Sequence, residues 1–137
     1  MYFAGWPLED AVTVAMDLGD PAAVLPIVDV LEGTPPTRRG RMVEVQLARA
    51  RGNAASARGD HETAAEEFAS ALSTARNLGR AAKLAPVLVD YGRWLVQTDR
   101  GEDAQPLLDE ARGLFEHMGA VVWLERIDAL LPATAGV

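Results

Sequence analysis

The sequence predicts an all-α protein, and three observations carry that prediction. Beyond about position 8 the apolar residues recur at helical spacing and almost nowhere alternate with a period of two. Gly19, Gly79 and Gly119 each follow a Leu or Met ("DLGD", "NLGR", "HMGA"), as a helix ending in a left-handed glycine would. Residues 45 to 80, laid over residues 85 to 120, repeat at an offset of 40: Gly52 falls on Gly92, Glu62 on Glu102, Ala64 on Ala104, Ala71 on Ala111, Leu78 on Met118 and Gly79 on Gly119. Each unit then reads as two antiparallel helices, the first with a glycine in its middle, the second with alanines seven apart and Phe68 or Leu108 between them. A single hairpin of this kind cannot bury its own apolar face, so neighbours stack.

Taken in order, the elements follow from local signals. A first helix over 8–18 ends at Gly19, and Pro21 opens a second over 21–32 at a position where its missing N–H costs nothing. Consecutive prolines in "GTPPT", residues 33 to 37, enforce extended backbone and break the helical pattern. Helices over 38–58, 61–78, 81–98, 102–118 and 120–131 complete a set of about seven. Pro26 and Pro106 fall inside them and are expected to kink or shorten them. Within "SARGDHETAAEEF", Gly59 makes the interhelical turn and Asp60 caps the helix that carries Glu62 and Glu66 near its positive end. Arg58-Gly59-Asp60 is therefore a turn rather than an adhesion signal, and His61 is placed inward, packed in the core or an interface, with no second histidine beside it to share a metal. The expected organisation is one domain over 1–137: a divergent first hairpin at 8–33, repeats at 38–79 and 81–119, and a capping helix at 120–131 with Trp123, Leu124, Ile127 and Leu131 inward.

Composition bounds the function. At 137 residues, 49% hydrophobic and 24% charged, the chain has the composition of a folded, soluble protein. It has no apolar stretch near the roughly 18 to 20 residues that cross a membrane, and "MYFAGWPLED" lacks the basic and apolar regions of a secretory signal, so a cytoplasmic location is expected. The absence of cysteine excludes disulfides, thiolate metal sites and cysteine nucleophiles. A net charge of −7 argues against direct nucleic-acid binding, which needs surplus Lys and Arg. Charge is uneven: residues 1 to 37 carry six acids and no base, whereas 38 to 58 carry Arg38, Arg39, Arg41, Arg49, Arg51 and Arg58 against Glu44 alone. These arginines pair with acidic neighbours or form a basic patch for an acidic partner.

"RGNAASARGDHETAAEEFASAL" resembles a tetratricopeptide repeat through Gly52, the turn Gly59-Asp60, His61 where an aromatic is usual, then Ala64, Phe68 and Ala71. "VLVDYGRWLVQTDRGEDAQPLLDEARGLF" is similar through Leu88, Gly92, Leu95, Ala104, Leu108 and Ala111, and departs at Asp99-Arg100, which replaces Gly-Asp. The 40-residue period exceeds the usual one of about 34, which implies longer helices. Stretched repeats with the ending "LFEHMGAVVWLERIDALL" look like the C-terminal helical region of large bacterial regulators that join a signalling ATPase, a nucleotide-cyclase domain or a LuxR-type DNA-binding domain to such an array. The resemblance implies a tetratricopeptide-like right-handed superhelix of antiparallel hairpins, whose first helices line a concave groove.

No phosphate-binding loop, nucleophile elbow or H-E-x-x-H helix occurs, and no cofactor or metal is implied. The paired acids Glu66-Glu67, Glu102-Asp103 and Asp109-Glu110 are sequence neighbours, so on a helix they diverge by about 100° and suit solvation better than acid–base work. Trp6, Trp94 and Trp123 read as packing anchors. Carried over from the family, the groove is lined by Gln46, Arg49, Asn53 and Ser56 from one unit and Val89, Arg93, Val96 and Gln97 from the next. Arg49 and Asn53 resemble the basic residue and asparagine by which some arrays clamp a peptide's terminal carboxylate, with Asp90 near the place of a second amide. The expectation is a non-catalytic interaction or regulatory module, gripping a peptide or protein through Gln46, Arg49, Asn53, Arg93 and Gln97, inside a larger transcriptional or signalling regulator. Its alternatives are a small-molecule sensor and a homodimerisation domain. If Arg49 and Arg93 serve a partner, their replacement by alanine leaves folding nearly intact; otherwise both pair with acids such as Asp90.

Overall fold

The computed structural model of the chain describes residues 25–33, 35 and 40–135. Among them lie six α-helices and no strand: α1 (Leu25–Glu32), α2 (Arg41–Ala57), α3 (His61–Leu78), α4 (Ala81–Gln97), α5 (Gly101–Met118) and α6 (Val121–Ala135). The helix expected at 8–18, its cap Gly19, Pro21 and Trp6 lie outside the described residues. None of the described helices is long and apolar enough to cross a membrane. Starts at Arg41, Ala81 and Val121, and at His61 and Gly101, carry the 40-residue sequence period into the structure. By this register α6 stands where the first helix of a further hairpin begins, and it extends to Ala135.

The same turn closes both hairpins. After α2, the N–H of Asp60 donates to the Ala55 carbonyl at 2.9 Å and that of Gly59 to Ser56 at 3.0 Å. After α4, Arg100 donates to Leu95 at 2.8 Å and Asp99 to Val96 at 3.2 Å. This pair of bonds absorbs orphan helix carbonyls and requires a left-handed residue just past the helix. Gly59 takes that conformation at φ 76°, whereas Asp99 takes it at φ 64° with a side chain attached. Gly79 and Gly119 adopt it as their sequence context predicts. Asp60 accepts a hydrogen bond from the Thr63 N–H at 3.2 Å, which caps α3. Hydrogen bonds from the Thr63 side chain and backbone hold the Asp60 carboxyl below its ordinary value.

Two expectations are corrected here. Pro106 does not shorten α5, which runs unbroken from Gly101 to Met118, and Pro86 occupies the matching sixth position of α4. Each proline removes a donor near the start of its helix; for Pro106 the carbonyl that loses its usual donor belongs to Glu102, an exposed residue of the first turn. His61 is exposed rather than packed, because it is the first residue of α3 and sits at the turn, one step before the buried stripe that begins at Ala64.

The described structure falls into two compact units, one ending at Leu78 and the other starting at Gly79. In the first, α2 packs against α1 and α3, and the Ala64, Phe68, Ala71 and Ala75 stripe of α3 is fully buried. In the second, α4 pairs with α5 through Ala104, Leu108, Ala111 and Phe115, and α6 packs on both helices. Ile127 of α6 is fully buried, and Trp123 stacks on Phe115 with ring centroids 4.9 Å apart and planes 5° off parallel. Trp94 is buried as an anchor of α4, with the Tyr91 ring 6.0 Å away.

Candidate functional site

Helix geometry decides which side chains the first helices of the hairpins offer to a ligand. Gly52 of α2 faces Phe68, and Gly92 of α4 faces Leu108. Rotating by one residue, about 100°, leads from these seams to a second stripe on each helix. On α2 that stripe is Gln46, Arg49 and Asn53, and on α4 it includes Arg93 and Gln97. The residues singled out from the sequence therefore do share a face within each helix.

Their environments differ. Gln46, Arg49 and Asn53 are 5%, 1% and 2% exposed, so this stripe lies inside the protein rather than on its surface. Asn53 donates its amide to the Arg49 carbonyl at 3.1 Å, a bond within the helix. The side-chain oxygen of Gln46 has no hydrogen-bond partner among the described residues. On α4, Arg93 Nη2 donates to Asp90 Oδ1 at 2.7 Å, and Asp90 itself is only 1% exposed. Arg93 retains 17% exposure, and Gln97, one turn further on, is exposed. Arg93 therefore follows the alternative in which an arginine pairs with Asp90, while keeping part of its guanidinium fork in solvent.

The central arginines divide likewise. Arg51 reaches across from α2 to α1 and donates from Nε and Nη2 to one carboxylate oxygen of Glu32, with the Nε bond at 3.0 Å. Arg58, at the end of α2, lies 3.9 Å from Asp60, the outer limit of an ion pair. The sequence names Asp90 as a possible partner of Arg49 and Arg93, but it does not single out Glu32 as the partner of Arg51. Both contacts were open to it only as charge complementarity, since three residues on a helix bring Asp90 and Arg93 together. Glu102 and Asp103 are exposed, Asp103 pairing with Arg100 and Asp109 accepting a hydrogen bond from Gln105 at 2.9 Å. Among the described residues no group of three or more His, Cys, Asp and Glu side chains stands close enough to hold a metal ion.

Comparison with protein-family models, with curated proteins and with solved structures returned no match to this chain.

Proposed function

We propose that the chain is a non-catalytic interaction module built from tetratricopeptide-like hairpins, and that a peptide or protein partner engages α4 through Arg93 and Gln97. One observation carries this reading: Arg93 is held at 2.7 Å by the buried carboxylate of Asp90 while a share of its side chain stays exposed, one turn from the exposed Gln97. A guanidinium fixed from behind loses little freedom when it grips a carboxylate, and an adjacent amide both donates and accepts, as a peptide backbone requires. Gln46, Arg49 and Asn53 join the reading only as the polar interior of α2, since their burial keeps them from a partner's first contact. Membership of a larger transcriptional or signalling regulator rests on the resemblance of the repeats alone.

The reading is tested with a peptide library bearing free C-terminal carboxylates and a matched amidated library, titrated by fluorescence polarisation. Wild-type chain should prefer the free carboxylates. Arg93→Lys, which keeps the charge opposite Asp90 but removes the fork, and Gln97→Ala should each weaken the selected peptide by about 5-fold or more. Equal binding of both libraries, or unchanged affinity in both variants, rules out this site.

A further inference from the structure

The first unit contains a cleft of about 250 Å³ that the α4 site does not use. Each of three helices contributes one stripe to it: Val28 and Glu32 from α1, Arg51, Ala54 and Arg58 from α2, and Thr63 and Glu67 from α3. Spacings of three, four and seven place each set on a single helix face. Val28 and Ala54 supply an apolar wall, and the charges divide between two ends. At the turn end stand Thr63 and Arg58, whose only described ionic contact is the 3.9 Å approach of an Asp60 already engaged in capping α3. At the inner end Arg51 is taken up by Glu32, and beside them Glu67 makes no hydrogen bond to a described residue. Burial pushes the Glu67 carboxyl above its ordinary value, although Arg51 pulls the other way. Thr63 and Glu67 are one turn apart, and Arg51 and Arg58 two, so the ends are separated by about 6 to 10 Å along the helices.

We infer that this cleft binds a small zwitterion, its amine against Glu67 and its carboxylate against Arg58 and the Thr63 hydroxyl, with the connecting chain lying on Val28 and Ala54. Charge balance selects that class. The Glu32–Arg51 pair is internally neutral, and the remaining glutamate and arginine are opposite in sign and set apart, so neither a plain cation nor a plain anion satisfies both. An α-amino acid places its charges too close together; an ω-amino acid or a dipeptide spans the distance. This inference is independent of the peptide reading, which concerns α4 only.

The test uses the full chain labelled with ¹⁵N and two probes, ε-aminocaproate and glycylglycine, with caproate and pentylamine as single-charge controls. At least one zwitterion should shift the Ala54, Thr63 and Glu67 amide resonances saturably at millimolar concentration. Each control should bind about 10-fold more weakly or worse, and Glu67→Gln and Arg58→Ala should each weaken the zwitterion to a similar degree. Glu67 is half-buried and Arg58 is exposed, so the variants should keep the wild-type circular dichroism. Absence of saturable shifts with both zwitterions overturns the inference, as do controls that bind equally well or variants that bind unchanged.

Discussion

A Cβ atom built on Gly52 would lie 2.8 Å from Cε1 of Phe68, closer than real side chains approach. The same relationship recurs 40 residues on, where a Cβ on Gly92 would lie 2.7 Å from Cδ2 of Leu108. In each hairpin the second helix thus presses a large side chain against bare backbone of the first, and the alanines flanking Phe68 and Leu108 let the helices come that near. Gly52→Ala adds a methyl group to this seam. Overpacking costs about 1 to 3 kcal/mol, and better helix propensity returns about 1, so a net loss of about 1 kcal/mol is expected by chemical denaturation. In a Phe68→Ala background the added methyl should no longer destabilise, giving a coupling of about 0.5 to 3 kcal/mol. Additive effects of the two substitutions would argue that the seam is not closed by this contact.

Asp99 adopts the conformation that Gly59 adopts at the equivalent turn, φ 64° against 76°. A side chain in that region is strained, less for Asp than for most residues. Asp99→Gly should therefore stabilise the chain by about 0.5 to 1 kcal/mol, read as a rise in Tm. Asp99→Val should lower it. The Gly59→Ala change should be unfavourable through its backbone alone, since no atom lies within 4 Å of the added Cβ.

Glu67 links stability to pH. Its folded-state carboxyl titrates above the ordinary value of 4.5, chiefly because burial disfavours the charged form. Its contribution is therefore complete below that ordinary value and is lost as pH rises through the raised one. Glu67→Gln cannot titrate, so relative to wild type it should gain stability as pH rises from the ordinary value of 4.5 through the raised one, by a modest amount because solvent still reaches the half-buried carboxyl. A stability difference that stays flat over that interval would show that burial does not govern this carboxyl.

The helices were legible because their signals are local. Gly79 and Gly119 follow apolar residues and take left-handed caps, Asp60 caps α3, and the Ala64, Phe68, Ala71 spacing marks the buried seam. Even Asp99-Arg100, noted as a departure from Gly-Asp, maps onto a turn with the same hydrogen bonds. Side-chain environment was less legible. The family resemblance places the Gln46, Arg49 and Asn53 stripe on an open groove, yet α2 is buried on several faces at once. Helical periodicity reports which residues share a face, not how many faces are covered. The cleft between α1, α2 and α3 is likewise a product of packing, joining Glu32, Arg51 and Glu67 across distances in sequence that no motif marks.

In α6, Ile127 and Trp123 share the contact with α4 and α5 unequally. Ile127 is fully buried, while Trp123 is half-buried between Phe115 and the Arg126 guanidinium, which lies 4.7 Å from its ring centre. Ile127→Ala should cost about 2 to 5 kcal/mol. Trp123→Ala should cost less, about 1 to 3 kcal/mol, because solvent already reaches part of the ring. Denaturation midpoints in the reverse order would mean that the stack, and not the aliphatic contact, holds α6 in place.

Asp90 and Arg93 carry the last prediction, and it revises the expectation that arginine replacement on these helices leaves folding intact. Asp90 is 1% exposed, so its charge is tolerated only with a partner, and Arg93 supplies a hydrogen bond at 2.7 Å. Removing one member of a wholly buried pair costs about 3 to 5 kcal/mol; Arg93→Ala should cost about 2 to 4, because water can enter beside the truncated side chain. Arg93→Lys should retain most of that stability, since an ammonium still faces the carboxylate, while losing the planar fork. Pairing Arg93→Gln with Asp90→Asn replaces two charges by two amides and should recover at least half of the loss. Thermal unfolding of these three variants beside wild type separates the terms: if Arg93→Ala melts with wild type, the pair is not what stabilises the buried Asp90 side chain of α4. In that event any weakening of peptide binding found in Arg93→Lys would need another cause.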